Sequence, residues 1–326
     1  MKRRTAFGCA LAVLAAACGS DDAVVIGSKN FTEQDILAEI IAQELEARGV
    51  PVERRLHLGG TFVCHRAIVE GQIDLYVEYT GSALAAILER SPMQDSGAVY
   101  RAVAETYSER WDLVWGPPLG FENTFALVMR EADAESLGLV AISDLAAAAP
   151  RLTAAFGPEF MARKDGYSGL RAAYGVDFGE VRQMDLGLMY RALAEGQVDV
   201  AVGNSTDGQI AALDLAVLAD DRRYFPPYEA APVVRRQTLD RHPRVGDVLQ
   251  SLAGALSVQE MRRLNRSVAV DGRDPGEVAS DWRDRQASRA QRKPAKIWRR
   301  WGRSQLRKVF RATIDAVAQE PPRSTR

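Results

Sequence analysis

The chain has 326 residues, with 42 Lys or Arg against 43 Asp or Glu, and 47% of its residues are hydrophobic. This length permits two compact domains, and the composition is that of a globular protein, which excludes wholesale disorder. The near-zero net charge conceals three regions: +1 over residues 1–22, −13 over 23–282 and +11 over 283–326. Because nucleic-acid binding needs a basic face, the acidic central region argues against a nucleic-acid partner.

The N-terminal residues have the pattern of an export signal. Three basic residues at 2–4 precede an apolar stretch over 5–17, which is too short to cross ~30 Å of hydrocarbon but fits a signal peptide. Small residues before Cys18 resemble a bacterial lipoprotein signal. We therefore predict a signal peptide over 1–17, a lipid on Cys18 that anchors an exported protein to the membrane, and a linker over 18–23. A plainly cleaved secretory signal is the alternative.

The next part of the chain alternates between strand and helix patterns. The predicted elements are a strand over 24–26, a helix with Thr32 as N-cap that ends at Gly49, a strand over 52–58, a helix over 63–70 and a strand over 73–77. This order predicts a parallel sheet covered by helices. Such sheets bind ligands at the carboxyl ends of their strands.

An internal repeat extends this pattern to the second half of the chain. Residues 67–77 resemble residues 192–202 at a constant offset of 125, and both segments read as a helix end, a Gly turn and a buried strand. Either the match is a chance local similarity, or the chain forms two similarly built lobes that face each other across a cleft. In this register Tyr79 corresponds to Asn204, each just past a strand end.

Two Pro-rich and aromatic segments, 116–121 and 225–228, are candidates for the connections between the lobes. They predict a discontinuous first lobe over 24–122 and 227–282, completed by helical segments around 244–265. The second lobe is then the intervening stretch, 123–226.

The sequence gives little support for a catalytic or a metal-binding site. The three histidines, His57, His65 and His242, have no Cys or His at metal-ligand spacing, and Cys64 is the one thiol of the central region. The sequence lacks a G-x-S-x-G nucleophile motif and a phosphate-binding G-x-x-x-x-G-K-[ST] loop. We predict a protein that is not an enzyme and holds no metal or cofactor.

Five motifs of the sequence stand out together: Gly27–Gln34, Ile73–Ser82, Arg163–Gly166, Ser205–Gly208 and Phe225–Tyr228. In this order they closely resemble a known family, the substrate-binding proteins of quaternary-ammonium ABC importers. The family takes up glycine betaine, choline, carnitine and related solutes. The resemblance implies a two-lobed α/β periplasmic-binding-protein fold, type II-like, with a mainly parallel sheet in each lobe and the ligand in the cleft. It also implies a monomer that delivers a small zwitterion to a separate permease and ATPase.

The resemblance also implies the binding residues. Lys29 and Arg163 correspond to residues that hold a carboxylate, and Ser82 stands where the family usually has Thr. Tyr79 and Tyr228 match positions of an aromatic cage. A quaternary ammonium has no N–H group, so ring faces hold it, at roughly 0.5–2 kcal/mol each. The remaining candidates for the site are Asn123, Phe125, Asn204 and Gln34.

Two of these positions depart from the family pattern. Phe125 stands where Tyr is usual, and Asn204 stands where an aromatic residue is common. The loss of one ring costs on the order of 1 kcal/mol, about fivefold to tenfold in affinity. The sequence therefore leaves open weak betaine binding or a larger zwitterion such as ergothioneine. A sensory receptor with no role in transport is a further alternative.

The basic tail, 283–326, lies outside the resemblance. Apolar residues of this segment share one helical face among Arg and Lys, with Trp298 and Trp301 at its edge. This pattern predicts a partly amphipathic helix for an anionic membrane surface, followed by disorder over 320–326. A flexible tail, or one that docks on the acidic lobes, is the alternative.

Overall fold

The computed structural model describes residues 22–91 and 93–292. Among these residues no helix combines the length and the apolar character needed to cross a bilayer. Contacts divide the chain after Ser280, and both β-sheets lie in the unit that ends there. Of the unit that begins at Asp281, the structure describes helical residues up to 292. The predicted signal peptide, Cys18 and the predicted amphipathic helix with its tryptophans lie outside the described residues.

Within the described residues, ten strands build two sheets of five strands each. The strands are β1 (Val24–Lys29), β2 (Val52–Gly59), β3 (Leu75–Tyr79), β4 (Leu113–Trp115), β5 (Phe125–Arg130), β6 (Thr153–Phe156), β7 (Glu180–Gln183), β8 (Val200–Asn204), β9 (Leu215–Val217) and β10 (Ala230–Arg235). The first sheet has the order β2-β1-β3-β10-β4 and the second β7-β6-β8-β5-β9. In each sheet one strand, β10 or β5, is antiparallel to both neighbours, and the other four run in one direction. The mainly parallel sheet predicted for each lobe is confirmed.

Fourteen α-helices connect and cover the strands in the described part of the chain. They are α1 (Thr32–Glu46), α2 (Thr61–Val69), α3 (Thr80–Ser82), α4 (Ser96–Trp111), α5 (Glu131–Leu137), α6 (Leu145–Ala148), α7 (Pro158–Ala162), α8 (Tyr167–Tyr174), α9 (Leu186–Ala194), α10 (Gln209–Ala212), α11 (Arg236–Arg241), α12 (Pro243–Ser251), α13 (Val258–Ala269) and α14 (Pro275–Arg292). A π-helical turn, Ala83–Ile87, continues α3, and 3₁₀ turns at Ile142–Asp144 and Ala149–Arg151 flank α6.

The repeat seen in the sequence is a repeat of structure. Helix α9 follows α2 at an offset of 125 residues, and β8 follows β3 at the same offset. Tyr79 and Asn204 occupy equivalent positions, as the register predicts, but each is the last residue of its strand rather than just past it. The two sheets also share one strand order, so the two-lobe interpretation is confirmed and the chance-match alternative is wrong.

Several element bounds differ from the predictions: α1 ends at Glu46 rather than Gly49, and α2 spans Thr61–Val69 rather than 63–70.

Two further differences have a local cause. The third strand begins at Leu75 rather than at residue 73, because Gly71 turns with a φ of 75° and the Ile73 amide closes the end of α2 on the Ala67 carbonyl. Helix α1 begins at Thr32, so Thr32 is not the N-cap; Phe31 takes that position in extended conformation. Its carbonyl accepts from the Gln34 amide, and no side chain caps the helix.

Each sheet packs on an apolar core of its own. In the first, Tyr76 and Trp115 of the sheet are buried with Tyr107 of α4. In the second, Met189 and Leu193 of α9 are buried against β5, β6 and β8. The segments between the sheets run antiparallel where Glu122 bridges Glu229. The sequence positions at which the lobes begin and end stay predictions.

Candidate functional site

A cavity of about 620 Å³ lies where the carboxyl ends of strands from both sheets meet. Lys29 and Tyr79 end β1 and β3 on one side. On the other side Asn204 ends β8, Gly157 directly follows β6, and Asp185 is the second residue after β7. This is where the carboxyl-end rule for open α/β sheets places a ligand. The described residues contain no cluster of three or more side chains suited to a metal ion.

Eight of the nine residues predicted for the site line this one cavity. They are Lys29, Tyr79, Ser82, Asn123, Phe125, Arg163, Asn204 and Tyr228. Gln34 does not line it: the side chain is buried, and Nε2 donates to the Tyr79 hydroxyl at 3.0 Å. Gln34 therefore supports a wall residue and does not form the wall itself.

Lys29 is buried and already holds internal partners. Its Nζ lies 2.5 Å from Glu78 Oε1 and donates to Thr61 Oγ1 at 2.8 Å. The same Nζ stands 5.0 Å from the centre of the Tyr79 ring, within cation–π range. Glu78 compensates the buried charge, which would otherwise be costly. Two of the three ammonium hydrogens are thus used, which leaves one for a ligand.

Arg163 is held in a comparable way. Its Nε and Nη2 donate to the two carboxylate oxygens of Asp165, at 2.8 and 2.5 Å. Nη1 donates to Ser82 Oγ at 2.9 Å and to Glu159 Oε1 at 3.1 Å. These bonds use four of the five guanidinium hydrogens. The bond to Ser82 joins the second sheet's side of the cavity to the first.

Three hydrogen-bond donors therefore remain for an anionic group: one N–H of Lys29, one N–H of Arg163 and the hydroxyl hydrogen of Ser82. The Ser82 hydroxyl accepts from Arg163, and its own hydrogen has no acceptor among the described residues. Glu159 lines the same region. Burial opposes its ionisation, but the charges of Lys29 and Arg163 outweigh burial and lower its pKa.

Aromatic rings form the walls. Tyr79 stacks on Phe31, with centroids 6.3 Å apart and an interplanar angle of 24°. Phe125 packs edge-on against Tyr228 at 5.9 Å and Phe160 at 4.9 Å. Burial raises the pKa of Tyr79 and of Tyr228 well above the usual value, so both phenols stay protonated and donate hydrogen bonds. The Tyr228 hydroxyl donates to Asp165 at 2.6 Å, which ties the ring to the Arg163 pair.

The wall around Asn204 is polar. Asn204 pairs across the sheet with Phe125, so the two side chains lie on the same face. Its backbone amide donates to Asp207 Oδ2 at 2.9 Å, and the Tyr190 hydroxyl donates to the same oxygen at 2.6 Å. Burial raises the pKa of Asp207, and the bonds from Tyr190 and Asn204 counter that rise. The Asn204 amide and the Asp207 carboxylate thus form the part of the wall where the family commonly has an aromatic ring.

Glu33, which the sequence did not single out, lies behind the aromatic wall. The residue is 1% exposed, and four side chains donate to it: Tyr79, Asn123, Thr206 and Asn265. Burial raises its pKa, and the four hydrogen bonds counter that rise. Glu33 and Phe31 both lie within the 27–34 motif, which was the one available signal for them. Asn265 of α13 lies 232 residues away, and no motif pointed to it.

Comparison with known proteins agrees with this geometry. Residues 22–285 match the family described as the substrate-binding domain of an ABC-type glycine betaine transport system. The chain belongs to this family. A glycine-betaine-binding protein of Pseudomonas aeruginosa is 39% identical over 281 residues, 83% of this chain and 90% of that protein. Family members are extracytoplasmic substrate-binding proteins of ABC transporters for solutes of the betaine type.

Two further matches widen the range of ligands found among relatives. The ergothioneine transport permease/ergothioneine binding protein EgtU of Helicobacter pylori is 33% identical over 265 residues, 80% of this chain and 47% of that longer protein. A crystal structure of a glycine betaine/carnitine/choline ABC transporter superposes with a TM-score of 0.68 at 33% identity, covering 81% of this chain and 98% of the other. The two-lobed periplasmic-binding-protein fold is thereby confirmed.

Proposed function

We propose that the chain is the receptor of an ABC importer and that the cavity captures a quaternary-ammonium zwitterion or a choline-like compatible solute. The observation that carries this proposal is the presence, in one cavity, of stacked and edge-on rings together with three hydrogen-bond donors. Ring faces hold a methylated ammonium group, which has no N–H to donate. The donors on Lys29, Ser82 and Arg163 suit the carboxylate of the same molecule.

The remaining parts of the proposal rest on the family resemblance. The receptor delivers its ligand to a separate permease and ATPase and acts as a monomer without catalysis. A lipid on Cys18 holds it at the membrane, facing the periplasm or exterior.

Calorimetric titration of the purified protein tests the ligand directly. The panel is glycine betaine, choline, carnitine, proline betaine and ergothioneine. Binding of at least one of these at micromolar concentration supports the proposal. Absence of heat with every compound, in protein shown to be folded, contradicts it.

The variant Arg163→Met tests the predicted site with the best ligand of that panel. The change removes the guanidinium and its donor while keeping an apolar stem of similar reach. We expect affinity for a zwitterion to fall about tenfold to a hundredfold, since hydrogen bonds to charged groups contribute roughly 1.5–3 kcal/mol. Arg171→Met, which removes an exposed ion pair between α8 and Asp177, is the matched control. Equal affinity in both variants would place the ligand elsewhere.

A larger betaine is the second candidate, and the size and polarity of the cavity favour it. A volume of about 620 Å³ exceeds what a molecule as small as glycine betaine fills. The wall at Asn204, Asp207 and Asp185 offers acceptors to a ligand with N–H donors far from its carboxylate. The relative that carries ergothioneine binding in its name supports this candidate. If ergothioneine binds more tightly than glycine betaine in the calorimetric titration, the larger betaine is the better candidate.

A further inference from the structure

The four bonds to Glu33 divide between its two oxygens. Oε1 accepts from the Tyr79 hydroxyl at 2.6 Å and from Asn123 Nδ2 at 2.8 Å. Oε2 accepts from Thr206 Oγ1 at 2.5 Å and from Asn265 Nδ2 at 2.9 Å. Oε1 therefore holds Tyr79 and Asn123, which both line the cavity. Oε2 holds Asn265 of α13 and Thr206, which lies in the turn that follows β8 of the second sheet.

Glu33 has no cationic partner among these four. A buried carboxylate without a cation is tolerated only when its oxygens are fully hydrogen-bonded. Thr206 is 0% exposed and lies beyond the end of β8, so its bond to Glu33 exists only while the second sheet stands against α1. If the lobes part, Oε2 loses Thr206 and water must replace it. The same carboxylate thus responds to lobe closure and to the position of the Tyr79 ring.

The two Asn side chains are oriented by the same contacts. Asn123 and Asn265 direct their Nδ2 groups at Glu33, and Asn265 Nδ2 also donates to the Thr206 carbonyl at 2.9 Å. Both residues line the cavity, and both are more than nine-tenths buried. Their Oδ1 atoms are buried without a partner among the described residues. These two carbonyl oxygens are hydrogen-bond acceptors without an internal partner, and they suit an electropositive group of a ligand.

We propose that Glu33 is a positioning residue that couples lobe closure to cage assembly, with Thr206 as the contact that closes and Asn265 as an additional acceptor for the ligand's cationic end. The role in binding rests on the proposed function above. Closure completes the bonds on Oε2, and the completed carboxylate fixes Tyr79 and the two amides around the ligand. The contact belongs to the closed arrangement of the lobes, and it must break before a bound ligand can escape.

Stopped-flow binding of the best quaternary-ammonium ligand tests this order of events. Thr206→Val removes the hydroxyl and keeps the shape, whereas Thr206→Ser keeps the hydroxyl. We expect Thr206→Val and Glu33→Gln each to raise the dissociation rate about tenfold and to leave the association rate within about twofold. Thr206→Ser is expected to behave as the wild type. Glu46→Gln, an exposed change on the same helix, is the control.

The double variant tests whether the two residues act as one unit. If Glu33 and Thr206 share one contact, Glu33→Gln with Thr206→Val dissociates no faster than the faster single variant. Wild-type dissociation from Thr206→Val, or an effect confined to the association rate, overturns the proposal. So does a failure of Thr206→Ser to retain the wild-type rate.

Hydrogen exchange of the ligand-free protein separates this proposal from the proposed function. Glu33→Gln and Thr206→Val are expected to increase exchange of the amides at 205–208, and Glu46→Gln is not. If no compound of the panel binds the wild type, the proposed function fails, and this measurement still decides whether the contact at Glu33 holds the lobes together. Unchanged exchange in both variants shows that it does not.

Discussion

At the scale of single residues, the site is built from charges that are already compensated. Lys29 has Glu78, and Arg163 has Asp165, so neither cation is bare in the cleft. Each keeps one hydrogen for a ligand, because the internal partners do not use all donors. The compensation lowers the cost of burying two cations, and it fixes their geometry before a ligand arrives.

A change at Asn204 tests how much an aromatic ring at this position, where the family commonly has one, adds to ligand affinity. Because Asn204 lies beside Phe125 on one face of the second sheet, an aromatic side chain there adds a wall to the cage. We expect Asn204→Tyr to tighten glycine betaine binding about fivefold to tenfold, in a calorimetric titration.

Asn204→Leu is the control for that change, because it adds apolar surface without a π-face. Equal gains from Tyr and Leu would show that burial, not cation–π attraction, is responsible. If the larger betaine is the true ligand, Asn204→Tyr weakens its binding while it strengthens that of glycine betaine.

At the scale of elements, α2 and α4 meet through an aromatic cluster that contains a histidine. The His65 ring lies 4.5 Å from the Trp111 ring and 5.3 Å from the Tyr107 ring. Burial lowers the pKa of His65 to about 4. The imidazole is therefore neutral in the folded protein at pH 7, and protonation favours unfolding.

The pH dependence of stability follows from that shift. An unfolded histidine has a pKa near 6.5. The contribution of neutral His65 to the free energy of unfolding is therefore complete above about pH 6.5, and it is lost as the pH falls toward 4. Between pH 7 and pH 5 we expect the free energy of unfolding of the wild type to fall by about 1–2 kcal/mol more than that of His65→Gln. Urea unfolding at each pH measures both values. Between pH 7 and pH 8 the two proteins should change alike. A wild type and variant with parallel losses at low pH would contradict the burial argument.

At the scale of the whole molecule, two sheets of one strand order face each other, and hydrogen bonds join them across the cleft. Arg163 reaches Ser82, and Thr206 reaches Glu33. Ligand that binds between the sheets adds its own contacts to both. Binding therefore stabilises the folded protein in proportion to the logarithm of ligand concentration.

Thermal unfolding measures this linkage. At a ligand concentration of 100 Kd we expect about 2.7 kcal/mol of added stability, a rise in Tm of roughly 4–5 °C for a protein of this size. Arg163→Met at the same ligand concentration should show a smaller rise, because its Kd is higher. A Tm that does not depend on ligand concentration would contradict binding to the folded state.

The sequence by itself predicted the alternation of strands and helices and the internal repeat, and the resemblance of its motifs to a known family implied the site residues. Strand and helix periodicity are local, and the repeat at an offset of 125 residues carried the equivalence of Tyr79 and Asn204 from one sheet to the other. Residues at the carboxyl ends of parallel strands meet at one edge of a sheet, which pointed to Lys29, Tyr79 and Asn204. The family resemblance implied the other cavity-lining positions.

Tertiary structure decided the partners of those residues. Glu33 meets Thr206 and Asn265 across sequence separations of 173 and 232 residues, and periodicity holds no information over such distances. The motif that contains Glu33 could not show that both oxygens would be buried and shared between the sheets. For the same reason the sequence analysis assigned no internal partner to Lys29 or Arg163, because packing and burial decide which carboxylate compensates each cation.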